Sequence, residues 1–133
     1  MPAIRQTFSK DERLRSRKLI EKIVEEGKSI HQPPFRLSWT FTGLKARYPA
    51  QLAIAVPKRF FKRAVDRNRI KRLIREAYRK NKSGIYSLLR SKEMQCAMLL
   101  VFNGRQVPLY AEVEKKLLIT LQRFEETILQ NSG

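Results

Sequence analysis

Hydrophobic positions along the chain change period several times, and each change marks an element. In residues 16–26 (SRKLIEKIVEE), Leu19, Ile20, Ile23 and Val24 recur at helical spacing, with Ser16 placed as an N-cap and Gly27 suited to follow the last turn. Upstream, Ser9-Lys10-Asp11-Glu12 has the order of a capping box, so a helical turn can begin there instead. Pro33-Pro34 breaks the chain, and His31 reads as part of that loop. Phe35 to Thr42 alternates apolar and polar residues, the period-2 signature of a half-buried strand. Phe35, Trp39 and Phe41 share one face of it, where a core role outweighs a base-stacking platform. Residues 43–50, with Gly43 and Pro49, read as a loop, and Gln51 to Val56 as a short apolar strand ended by Pro57.

The spacing next predicts a helix over 64–81, drawn at about 100° per residue. Ile70, Leu73, Ile74 and Ala77 cluster on its inner side, with Tyr78 at the margin. Residues 82–95 read as polar and irregular, with a short turn around Leu88-Leu89. Cys96 to Phe102 is apolar at every position, as expected of a central strand buried on both faces. Asn103-Gly104-Arg105 turns the chain and Pro108 precedes a last helix, whose Val113, Leu117, Leu121, Phe124 and Ile128 form a core-facing stripe. The order helix, strand, strand, helix, strand, helix predicts an α+β sandwich, a small mixed β-sheet packed by helices. The unit from 51 to 102 is long enough to pair its two strands in parallel.

Charge narrows the function. Lys and Arg number 29 against 12 Asp and Glu, a net charge of +17 on 133 residues. A body this small and this basic repels itself and calls for a polyanionic partner, nucleic acid first and an anionic membrane surface second. Residues 56–82 hold Lys58, Arg59, Lys62, Arg63, Arg67, Arg69, Lys71, Arg72, Arg75, Arg79, Lys80 and Lys82 against only Asp66 and Glu76. Solvated helix faces mix signs, so this run reads as a phosphate-binding surface. On the 64–81 helix, Arg67, Lys71 and Arg75 lie one turn apart along one shoulder of the apolar stripe. Asn68, Arg72 and Arg79 are opposite that stripe, and Arg69 lies on the other shoulder. Arg outnumbers Lys there, which suits the bidentate recognition of phosphate.

Other chemistry finds little support. One cysteine, Cys96, excludes a disulfide framework and reads as a small buried hydrophobe; one histidine does not make a zinc site. The acidic pairs Asp11-Glu12, Glu25-Glu26 and Glu125-Glu126 are adjacent in sequence, whereas a two-metal nuclease needs convergent carboxylates. No Gly-rich phosphate loop or nucleophile elbow is present. The N-terminal residues lack the apolar core of a signal peptide and no stretch approaches a membrane span, so a cytoplasmic, soluble protein is expected.

The segment Ala64-Val65-Asp66-Arg67-Asn68-Arg69-Ile70-Lys71-Arg72-Leu73-Ile74-Arg75-Glu76 closely resembles the Arg-Asn-Arg signature helix of the bacterial ribonuclease P protein component. Phe8-Ser9-Lys10 through Arg13-Leu14 is similar to that family's N-terminal segment, and Ala55-Val56-Pro57-Lys58-Arg59 to its strand followed by a basic pair. The resemblance covers roughly residues 7–130. It implies one RNA-binding domain over 1–133, with 7–130 as the folded body and the termini disordered. It also implies an αβββαβα-type fold, like the second domain of a small-subunit ribosomal protein, with a left-handed βαβ crossover. Generic chirality alone would have given a right-handed one.

The implied activity is that of the protein subunit of an RNA-based endoribonuclease, with no catalytic residue in the protein. The subunit would bind the catalytic RNA and the 5′ leader of precursor tRNA and assist removal of the leader. The implied cofactor is magnesium at the RNA active site, with none in the protein, and the protein would be monomeric in the holoenzyme, without a membrane. Carried over by motif, the RNA-binding residues are Lys58, Arg59, Lys62, Arg63, Arg67, Asn68, Arg69, Lys71, Arg72 and Arg75. The leader cleft would draw on Lys10, Arg13, Ile20, Val24, Ser38 and Lys58. Family members often carry aromatics at the first-helix positions, where this chain has Ile20 and Val24, and a tyrosine where it has Ser38. The competing readings are a ribosomal or other structural RNA-binding protein and, third, a DNA-binding basic helix.

Overall fold

A computed structural model describes residues 7–130; the expectation of disordered termini falls on residues outside that range. After a 3-10 turn at Lys10–Glu12, the chain forms α1 (Arg17–Glu26), β1 (Lys28–Gln32), β2 (Phe35–Phe41) and β3 (Ala50–Ala55). It continues through α2 (Ala64–Asn81), α3 (Ser83–Ser91), β4 (Cys96–Phe102) and α4 (Tyr110–Gln130). The sheet order is β1-β2-β4-β3, with β3 parallel to β4 and the other pairs antiparallel. This is the mixed α+β fold expected, with α2 and α3 in the parallel crossover.

β4 is central, and its uninterrupted apolar sequence serves two faces. Cys96, Met98, Leu100 and Phe102 join the main core with Phe35, Leu37 and Trp39 of β2 and the inner sides of α2, α3 and α4. Ala97 and Leu99 face the other way, onto a smaller cluster with Leu14 and α1's Leu19, Ile20 and Ile23. The α4 stripe Val113, Leu117, Leu121, Phe124 and Ile128 is buried throughout, with Phe124 against Trp39 at 4.8 Å between ring centres. Both proposed helical starts occur: Ser16 Oγ accepts the Leu19 N–H at 3.3 Å, and Ser9 and Glu12 complete a capping box. Gly27 is required for close approach, since a Cβ there would meet the Ile23 carbonyl oxygen at 2.4 Å.

Three expectations need correction. His31, read as a loop residue, lies in a strand, β1; Pro33-Pro34 is the two-residue turn of the β1–β2 hairpin. Residues 83–91, read as irregular, form α3, packed on α4 through Gly84, where a Cβ would strike Glu125. Tyr78, placed at the margin of α2, is fully buried, whereas Leu73 is only partly so.

Lys82, counted among the surface cations, is also misplaced by that count. It is 1% exposed at the α2–α3 junction, and its ammonium pairs with the buried Glu12 carboxylate and the Thr7 carbonyl oxygen. Glu12 also accepts from the Tyr86 hydroxyl at 2.6 Å and the Ser9 N–H at 3.1 Å. Burial pushes the Tyr86 phenol far up, so it remains a donor. Removing one member of such a pair strands a buried charge, whereas replacing both with apolar groups need not destabilise. Lys82→Ala is expected to lose about 3–5 kcal/mol in urea unfolding. Glu12→Leu combined with Lys82→Met is expected to recover most of that loss.

Candidate nucleic-acid interface

The loop that leads from β3 into α2 is held from inside by aromatics. Phe61 is buried against Phe102, 6.1 Å between ring centres, and the N–H groups of Phe60 and Phe61 both point to the Pro57 carbonyl oxygen. With those anchors inside, Lys58, Arg59, Lys62 and Arg63 stand exposed. Two guanidinium groups lie over the Phe60 ring, Arg59 at 4.7 Å and Arg105 at 3.9 Å from its centre. Arg105 comes from the turn after β4, and its local sequence gave no sign of this partnership.

α2 is fixed by Ile70, Ile74, Ala77 and Tyr78, and the remaining circumference is cationic. Asn68, Arg69 and Arg72 are exposed, while Arg67, Lys71 and Arg75 are half-buried along the shoulder of the apolar stripe. Among the described residues, Arg67, Arg69, Lys71, Arg72 and Arg75 have no carboxylate within ion-pair distance. Arg63 pairs with Asp66 at 3.4 Å, and Glu76 engages both Arg79 and Lys80. Bonding to Arg79 holds the Glu76 carboxyl below its ordinary value. The C-terminal half of α2 is thereby partly neutralised, and the cations without carboxylate partners gather toward its N-terminal half.

Arg67 has a second task. Its guanidinium donates to the Phe61 carbonyl oxygen at 2.7 Å and the Lys62 carbonyl oxygen at 2.9 Å, tying the basic loop to the helix.

The leader-cleft candidates separate. Val24 is 70% exposed on α1, while Ile20 is half-buried against the smaller cluster. Ser38, 8% exposed, pairs with Leu99 and so lies on the sheet face that α1 covers. Lys10 and Lys58 are exposed at opposite ends of the neighbouring segments. Arg13 is not with them. It is the bridge partner of Leu52, a main-core residue of β3, and its guanidinium sits 5.6 Å from the Phe8 ring, beside Arg75 of α2. Among the described residues, no three His, Cys, Asp or Glu side chains come together as a metal-ligating group.

Residues 8–125 match the family model described as ribonuclease P. The ribonuclease P protein component of Porphyromonas gingivalis is 32% identical over 116 residues, covering 87% of this chain and 85% of that one. The solved ribonuclease P protein of Thermotoga maritima superposes with a TM-score of 0.67 at 28% identity, covering 84% of this chain and 96% of that one. The Staphylococcus aureus protein gives 0.68 at 22% identity, with coverage of 86% and 96%, and supports the fold.

Arg67 therefore differs from its neighbours in what its loss removes. Hydrogen bonds to charged groups contribute about 1.5–3 kcal/mol, whereas exposed substitutions usually change stability by about 0.5 kcal/mol or less. In urea titrations, Arg67→Ala is expected to lose about 1–3 kcal/mol, and Arg69→Ala and Arg72→Ala almost nothing. Equal stability of all three variants would show that the loop does not depend on Arg67.

Proposed function

The chain belongs to the ribonuclease P protein family, subunits of a ribonucleoprotein endoribonuclease of tRNA processing, and on that premise we propose how its two surfaces divide the work. The exposed side of α2 and the 58–63 loop bind the catalytic RNA through Lys58, Arg59, Lys62, Arg63, Arg67, Asn68, Arg69, Lys71, Arg72 and Arg75. The α1 face of the sheet, with Val24, Ile20 and Ser38 and with Lys10 and Lys58 toward its two ends, takes the 5′ leader of precursor tRNA. The observation that carries this is the row of arginines that find no carboxylate partner among the described residues, on a helix whose other side is locked in the core.

The protein contributes affinity and positioning. Its cations replace condensed counterions on RNA, a sequence-independent attraction. Arg forks orient the backbone, and α1 presents apolar surface to unpaired leader bases. Magnesium held by the RNA would supply a metal-activated nucleophile and charge stabilisation at the scissile phosphate. The chain acts as one copy per holoenzyme, in the cytoplasm. Reconstitution tests this: added to the catalytic RNA, the protein is expected to raise precursor-tRNA cleavage at low magnesium and to cleave nothing alone. Cleavage by the RNA-free protein, or no effect on the RNA, would overturn the assignment.

Val24 gives the leader surface its sharpest probe. Base–aromatic stacking contributes about 1–3 kcal/mol per base, which an aliphatic side chain only partly recovers. Since Val24 is 70% exposed, Val24→Phe is expected to leave stability unchanged and tighten holoenzyme binding of precursor over mature tRNA. An unchanged precursor-to-mature affinity ratio would remove Val24 from the leader path.

A further inference from the structure

At the outer edge of β3, three arginines from two parts of the chain line one concavity of about 230 Å³. Arg75 comes from α2; Arg13 and Arg15 come from the segment that follows the 3-10 turn. That segment is extended at Arg13, where φ is −89° and ψ is 126°. Alternate residues of an extended chain point to the same side, so Arg13 and Arg15 turn outward together while Leu14 goes into the cluster beneath α1. The segment is held in place by the Leu14 N–H, which donates to the Leu52 carbonyl oxygen at 3.0 Å, and by the buried Glu12 just before it. Leu52 and Ile54 line the concavity, and Phe8, edge-on to Tyr78 at 5.6 Å, forms another wall.

Among the described residues none of the three guanidiniums has a carboxylate within ion-pair distance. Burial pushes the Arg75 guanidinium below its ordinary value, and the charges of Arg13 and Arg72 push it further. Like charges in a concave, apolar-floored site focus a strong positive potential that an anion relieves. Guanidinium forks match the oxygens of a phosphate, and the apolar floor suits a sugar beside it.

We propose that this concavity seats a single RNA backbone phosphate, gripped jointly by Arg13, Arg15 and Arg75. Because Arg75 also ends the row Arg67–Lys71–Arg75, the seat sets the register of RNA along α2. The inference rests on the RNA-binding reading above and gives Arg13 and Arg15 one shared contact.

Shared grip has a measurable signature. Each phosphate contact adds about 0.7–0.9 to the slope of log K against log[salt]. Titrations of the wild type, Arg15→Ala and the triple variant Arg13→Ala/Arg15→Ala/Arg75→Ala against the catalytic RNA and against precursor tRNA decide the matter. For one of the two RNAs, the triple variant is expected to lose about one phosphate's worth of slope, 0.7–0.9. Ethylation interference is expected to show one phosphate, on that same RNA, whose modification weakens the wild type but not the triple variant. Thermal melts guard against misfolding. Arg15 is exposed, so Arg15→Ala reads the seat, by reduced affinity for that RNA, even where the triple variant melts early. A slope that falls by three phosphates' worth, or unchanged slopes and affinities in every variant, would overturn the shared seat. Failure of the wild type to bind either RNA would instead sink the functional reading beneath it.

Discussion

The ion pair between Glu12 and Lys82 is the constraint on which the arrangement of the basic surfaces depends. Both side chains are withdrawn from water, with Glu12 0% and Lys82 1% exposed, and each is held by further polar groups. A buried pair of this kind adds little net stability, but it tolerates no mispairing. It fastens the N-terminal segment to the junction of α2 and α3, seventy residues along the chain. That fastening puts Phe8 against Tyr78, Leu14 beneath α1 and Arg13 beside Arg75.

α2 shows what the charged side of the fold gives up. Cations near a helix N-terminus oppose the macrodipole, and Arg63, the N-cap residue, offers no side-chain hydrogen bond to the first turn. Asp66 is the single acidic residue there. The helix persists because Ile70, Ile74, Ala77 and Tyr78 are completely buried, so tertiary packing outweighs an unfavourable charge pattern. Local rules are broken on the side of α2 that makes no core, which is where a binding function is expected to override stability.

The elements legible in the sequence were those whose burial matches a period. β2 alternates, β4 is apolar throughout, and α4 carries an unbroken stripe; each was read correctly. β1 was not legible because it is an edge strand with one buried residue, Ile30, and edge strands are kept short and polar. α3 was hidden by its ends. Only Lys82 separates it from α2, and its chain reversal places Glu93 at φ 55°, where glycine or asparagine would have given the signal. For the interface, helical phase gave the exposed side of α2 but not what lies across from it. The fate of Lys82 depends on Glu12, the direction of Arg13 on a bridge to Leu52, and the stacking of Arg105 on a phenylalanine 45 positions earlier. Such long-range pairings have no local signature.

The sheet divides the molecule in a way that bears on how two polyanions could be held at once. α2, α3 and α4 cover one face, and α1 covers part of the other, leaving Ala55 and Val101 half-exposed beyond it. Cations do not follow that division. They gather where the two faces meet: the 58–63 loop at the end of β3, and Arg13 with Arg15 along its outer edge. A polyanion on α2 and another on the α1 face would both run against this rim. Electrostatic attraction there does not select between polyanions, so selectivity must come from shape on either side: arginine forks spaced along a rigid helix on one, a half-exposed apolar strip on the other. On the function proposed above, the rim would act as a positive divider between two negative chains, lowering the repulsion between them.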